Sequence, residues 1–135
     1  MAGGIAVKLL LDTCAVLWLA DEPQKLGISA QSSIQAHSGA LYVSAISAFE
    51  IGVKFRKGKL VLGMSPEAWW ERVVRDKNLQ VLPVTDDIAL ASTALPALHA
   101  DPCDRIIIAT GEGISAAIIT SDRLIAQYPS AKVVW

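Results

Sequence analysis

Residues Val7 to Trp18 read Val-Lys-Leu-Leu-Leu-Asp-Thr-Cys-Ala-Val-Leu-Trp. The aliphatic run is too short to cross a membrane and too unbroken for a strand with one wet face. That is the pattern of a strand buried on both faces of a parallel sheet. It ends on a carboxylate, Asp12. The carboxyl ends of strands in open α/β sheets form the crevice where ligands bind, so an acid there points at chemistry. The residue type has a second use, because Asp is a strong N-cap and Thr13 to Leu19 is a plausible helix.

The remaining segments alternate between strand-like and helix-like, with turn residues at short intervals. Asp21 to Gly27 reads as a loop, Ser29 to Ser38 as a short polar helix stopped by Gly39, and Leu41 to Ser44 as a strand. Ser44 or Ser47 caps the next helix, which ends near Gly58, and a buried stripe of Ile46, Phe49, Val53 and Lys57 is expected to run beside Glu50. Ser65-Pro66 opens a helix carrying the adjacent Trp69 and Trp70. Neighbours on a helix point about 100° apart, so one tryptophan is expected in the core and the other at a subunit or partner contact. Leu79 to Val84 is a strand, Thr85 caps a helix from Asp86 to about Leu95, and Asp101-Pro102 starts a helix over Arg105 to Glu112 that ends near Gly111 and Gly113. Ala116 to Thr120 and Lys132 to Trp135 are the last strands, flanking a short helix that reaches Tyr128. Four to five strands separated by helices predict a three-layer α/β/α sandwich with a mainly parallel sheet.

A length of 135 residues fits one domain over 1–135. The apolar fraction of 53% exceeds the ~45–50% usual in soluble domains, and the surplus suits a covered partner surface. No apolar run approaches a membrane span, and Met1 to Ala6 lacks a signal-peptide pattern, so a soluble cytoplasmic protein is expected. Cys14 and Cys103 form no Cys-x-x-Cys pair, and neither they nor His37 and His99 have zinc-ligand spacing. A net charge of −1 does not mark the whole chain as a polyanion binder.

Asp12, Glu50, Asp104 and Asp122 fall where the alternation brings residues to the carboxyl edge of the sheet or to helix starts facing it. Each also has a structural role open to it: Asp12 and Asp122 as caps, Asp104 in a capping box with Asp101, and Glu50 as the i+4 partner of Lys54. Gathered together they repel, since two charges ~4 Å apart cost about 4 kcal/mol at an effective dielectric of 20. No lysine or arginine stands at the other strand ends. A hard divalent cation, Mg²⁺ or Mn²⁺, resolves the conflict and implies metal-assisted phosphodiester hydrolysis.

Leu-Leu-Leu-Asp12-Thr, Ser-Ala-Phe-Glu50-Ile-Gly, Asp101-Pro-Cys-Asp104-Arg-Ile-Ile-Ile-Ala-Thr and Ile-Ile-Thr120-Ser-Asp122 occur in that order. Together they resemble the PIN-domain ribonucleases, and most of all the VapC-type toxins of toxin–antitoxin pairs. The resemblance implies metal-binding, catalytic roles for Asp12, Glu50, Asp104 and Asp122, chiefly Asp12 and Asp104, with Thr120 in support. It implies Mg²⁺ or Mn²⁺ as cofactor, single-stranded RNA as substrate, a cognate antitoxin as partner and a homodimer. Cys14 departs from it, standing where many relatives carry Asn or His.

Lys54, Arg56, Lys57 and Lys59 form the dense basic cluster and are candidates for RNA phosphate binding, a solvated helix end being the plainer reading. A haloacid-dehalogenase-like enzyme wants a second Asp where Cys14 stands, and a response-regulator-like domain wants a lysine after a late strand, where Thr120 to Arg123 offers none. The remaining alternative is a catalytically silent module of the same fold that binds RNA or protein.

Overall fold

The computed structural model describes residues 7–135, so the reading of Met1 to Ala6 lies outside the described residues. Five strands, β1 (Leu9–Leu11), β2 (Leu41–Ser44), β3 (Gln80–Leu82), β4 (Ala117–Ile119) and β5 (Lys132–Val134), form one sheet in the order β3-β2-β1-β4-β5. Every pairing is parallel. Among the described residues the α-helices are α1 (Thr13–Asp21), α2 (Ile28–Ala36), α3 (Ala45–Arg56), α4 (Pro66–Asp76), α5 (Asp86–Thr93), α6 (Pro102–Ile114) and α7 (Arg123–Ala126).

The aliphatic run at the start of the chain takes the central strand. Leu9, Leu10 and Leu11 are at most 1% exposed, and successive side chains enter opposite cores. Leu9 and Leu11 pack with Val16 of α1, Ile34 of α2, Ile51 of α3 and Trp69 and Val73 of α4. Leu10 packs with Ile107 and Ile108 of α6, Ile125 of α7 and Tyr128. Burial of each such aliphatic side chain contributes about 1.5–3 kcal/mol. The expected sandwich forms, with a sheet that is wholly parallel.

The order of strands reverses at β1: β2 and β3 are laid down on one side of it, and the chain then crosses back to place β4 and β5 on the other. Leu11 pairs with Val43 on one side and Ile119 on the other, so Asp12 follows at the edge beside Ser44 and Thr120. A switch point of this kind opens a crevice at the strand ends.

Three local expectations change. The buried residues of α3 are Ser47 and Ile51, whereas Phe49 is 61% exposed and Lys57 is also exposed. The helix is apolar on more than one side, so periodicity could not phase it; Ser47 goes inside because the buried hydroxyl of Thr13 meets it at 3.0 Å. The helix opening at Asp101-Pro102 runs through Gly111 and Gly113 and ends at Ser115, which adopts the left-handed conformation with φ 56°. Gly111 serves close packing, since a Cβ there would lie 3.0 Å from Ile118 Cγ1. Asp21, read as loop, closes α1 and accepts from the Trp69 indole Nε1 at 2.9 Å.

Trp69 is fully buried and Trp70 is half-buried. Trp70 lines an apolar groove between α3 and α4 with Phe49, Val53 and Arg56.

Candidate active site

Asp12, Glu50, Asp104 and Asp122 line one cleft of about 340 Å³ at the carboxyl edge of the sheet, together with Thr13, Cys14, Lys54, Asp101 and Ser121. Each acid arrives on a different segment. Asp12 ends β1 and caps α1, accepting from Ala15 N–H at 2.8 Å. Asp122 follows β4 and caps α7, accepting from Leu124 N–H at 2.8 Å. Glu50 reaches in from α3, and Asp104 from the first turn of α6. Capping and membership of the cleft are therefore one arrangement for Asp12 and Asp122. A helix that follows directly from a parallel strand starts at the carboxyl edge, and its positive end offsets the acids gathered there. Asp104 is no cap; that role belongs to Asp101, whose Oδ1 accepts from the N–H groups of Cys103 and Asp104.

Burial dominates the electrostatics. Asp12 is 6% exposed, and desolvation pushes its carboxyl up to about 6 against the opposing hydrogen bonds from Thr120 and Ala15, with Asp122 and Glu50 adding repulsion. Desolvation and the neighbouring Asp101 carry Asp104 up to about 7, with His99 opposing. Asp122 is the counter-case: burial would raise it, but hydrogen bonds from His99 and Leu124 hold it below the ordinary carboxylate value. Partial burial and Asp12 push the Cys14 thiol up, so it faces the cleft protonated.

The i+4 pairing of Glu50 with Lys54 open from the sequence is present, and it brings one cation to the acids from α3. Lys54 lines the cleft with its Nζ 3.6 Å from Glu50 Oε2. The basic cluster divides here: Arg56 and Lys57 line the apolar groove, where Arg56 pairs with Glu67 at 3.3 Å, and Lys59 is exposed. Thr120 is fully buried, accepts from Asp122 N–H through Oγ1 at 3.0 Å, and its hydroxyl opposes the upward shift of Asp12. It connects the first and last acids.

His99 had no sequence signal beyond standing two residues ahead of Asp101. Its Nε2 hydrogen-bonds Asp122 Oδ2 at 3.0 Å and lies 2.9 Å from Asp104 Oδ2. One side-chain N or O atom from each of His99, Asp104 and Asp122 lies within 4.8 Å of the other two.

A divalent cation fits this donor set. Glu50 Oε1 is buried without a hydrogen-bond partner among the described residues. A bare carboxylate oxygen is costly to bury beside other acids, and a hard cation is the partner that such oxygens suit.

Residues 9–130 match the PIN domain family. Among curated proteins, the chain is 29% identical over 130 residues to Ribonuclease VapC22 of Mycobacterium tuberculosis, covering 94% of this chain and 98% of that protein. Among solved structures, the DNA-bound VapBC of Salmonella typhimurium superposes with a TM-score of 0.68 at 16% identity, covering 94% of this chain and 96% of that one. A toxin–antitoxin complex from Klebsiella pneumoniae superposes at 0.64 with 22% identity, covering 95% and 97%. At those identities the structural likeness speaks for the fold.

Proposed function

The chain belongs to the PIN domain family, and on that premise we propose that it is a divalent-metal-dependent endoribonuclease, the toxin of a toxin–antitoxin pair, cleaving single-stranded RNA in the cytoplasm. The observation that carries the reading is the meeting of Asp12, Glu50, Asp104 and Asp122 in one cleft with a buried, unpartnered oxygen on Glu50. The name of the Mycobacterium tuberculosis relative, a ribonuclease, supports the activity. The Klebsiella pneumoniae complex supports an antitoxin as partner, and the family resemblance supports a homodimer.

Asp12 and Asp104 would hold Mg²⁺ or Mn²⁺, with Glu50 and Asp122 completing the oxygen set. When bound, the ion supplies charge neutralisation at the scissile phosphate and lowers the pKa of an attacking water. The chain's own residues supply the positioning. Asp12 is fixed by Ala15 N–H, so its orientation does not have to be found anew for each substrate. Lys54 offers an ammonium at the cleft wall for a substrate phosphate. Arg56, Lys57 and Lys59 lie beyond the cleft and would meet only flanking nucleotides.

Incubation of the purified protein with single-stranded RNA and Mn²⁺ tests the reading. Cleavage that stops with EDTA, and that Asp12→Asn and Asp104→Asn abolish, is the expected result. Variants that cut as fast as the parent chain overturn the assignment.

A further inference from the structure

The loop between α5 and α6 brings His99 against Asp104 and Asp122 and fixes both sides of its ring. Asp101 N–H donates to Nδ1 at 3.2 Å, so Nδ1 is the acceptor nitrogen and the neutral ring carries its proton on Nε2. That N–H is directed at Asp122 Oδ2, at 3.0 Å, and Asp104 Oδ2 lies 2.9 Å from the same nitrogen. The backbone is held as firmly. His99 N–H donates to the Tyr128 hydroxyl at 2.8 Å, and His99 O accepts from Arg105 Nη1 at 3.2 Å. Arg105 also bonds the carbonyls of Ser92, Leu95 and Pro96, at 2.8, 2.9 and 3.0 Å. The histidine is thus a fixed donor presented by a clamped loop.

We infer that His99 is a positioning residue for the carboxylate site: its Nε2–H ties Asp104 on α6 to Asp122 before α7, holding the two acids at the separation a divalent ion requires. The inference rests on the metal-site reading above. Without the donor, the two carboxylates would repel and splay, and the ion would have to draw them together at the expense of its own affinity. With it, both oxygens of Asp122 are engaged, Oδ2 by His99 and Oδ1 by Leu124 N–H, while Glu50 Oε1 stays without a partner among the described residues. The ring is a donor and not itself a ligand, because ligation through Nε2 would need a proton on Nδ1, where Asp101 N–H already points. Donors of this kind, one step removed from the ion, typically change metal affinity 10–100-fold (roughly) when removed.

Calorimetric titration of the metal-free protein with Mn²⁺ decides it, using His99→Gln, His99→Asn and His99→Phe beside Asp104→Asn. Gln places an N–H near the Nε2 position, Asn places one only near Nδ1, and Phe keeps the ring without a donor. We expect Phe and Asn to weaken Mn²⁺ binding by at least about tenfold and Gln to recover most of the loss. A structural role in the loop alone would not produce that ordering. Parent-like affinity in His99→Asn, or no recovery in His99→Gln, overturns the role of His99. Parent-like affinity in Asp104→Asn instead overturns the metal-site reading beneath it.

Discussion

The hydroxyl of Thr13 donates to that of Ser47 at 3.0 Å, a buried contact between residues 34 apart in the chain. It joins the first turn of α1, next to Asp12, to the turn of α3 that precedes Glu50. Two acids of the cleft are therefore spaced by a hydrogen bond that belongs to neither. Ser47→Ala leaves the Thr13 hydroxyl without that acceptor, and a loss of about 1–2 kcal/mol in unfolding free energy is expected from urea denaturation. An unchanged midpoint would mean that the contact does not constrain the two helices.

Stability should fall with rising pH in the metal-free protein. Asp12 and Asp104 titrate at about 6 and about 7 in the fold, against 3.8 for an ordinary aspartate, so between roughly pH 4 and 7 the folded chain binds more protons than the unfolded one. At about 1.4 kcal/mol per unit, Asp12 alone withdraws about 3 kcal/mol by pH 7. Asp122 is shifted the other way, and its contribution changes only below its unfolded value, outside this window. Thermal melts in EDTA should drop from pH 5 to pH 7, and Asp12→Asn should flatten the drop. Because protons and metal compete for the same oxygens, Mn²⁺ should restore most of the loss at pH 7 and little at pH 5. A melting temperature that climbs over the same range in EDTA would contradict the raised values.

Lys54 and its basic neighbours should separate in RNA binding. Lys54→Ala removes the cation at the cleft wall and is expected to lower kcat/KM about tenfold, with the slope of affinity against salt reduced by about one. Lys59→Ala, at an exposed position away from the cleft, should change kcat/KM less than about twofold. Equal effects from the two would return the whole cluster to general electrostatic attraction.

Tyr128 bonds the far side of the loop that carries His99. Its hydroxyl accepts from His99 N–H at 2.8 Å and donates to Pro96 O at 3.0 Å, and Arg105 Nη1 lies at 3.4 Å. Tyr128→Phe keeps the buried ring and removes only the oxygen. A destabilisation of about 1–3 kcal/mol is expected, with faster amide exchange at His99 than at Leu10 or Ile118 in the sheet. Uniform exchange across the chain would show that the hydroxyl does not hold the loop.

Much of this protein was written locally. Leu9-Leu10-Leu11-Asp12 specifies a doubly buried strand with an acid at its carboxyl edge because burial and capping depend on residues a few positions apart. Asp101-Pro102 and Ser65-Pro66 announce helix starts for the same reason. Once several parallel strands are implied, their ends share one edge, and the convergence of Asp12, Glu50, Asp104 and Asp122 follows without any pairwise contact being known. Tertiary structure decided what depends on the path of loops and on which face of an ambiguous helix turns inward. It set Ser47 in the core and left Phe49 exposed, placed Lys54 in the cleft while sending Arg56 to the groove, and carried His99 to Asp122 across 23 residues of sequence. A local pattern cannot record such choices, because the energy that fixes each one lies in a partner the sequence does not place beside it.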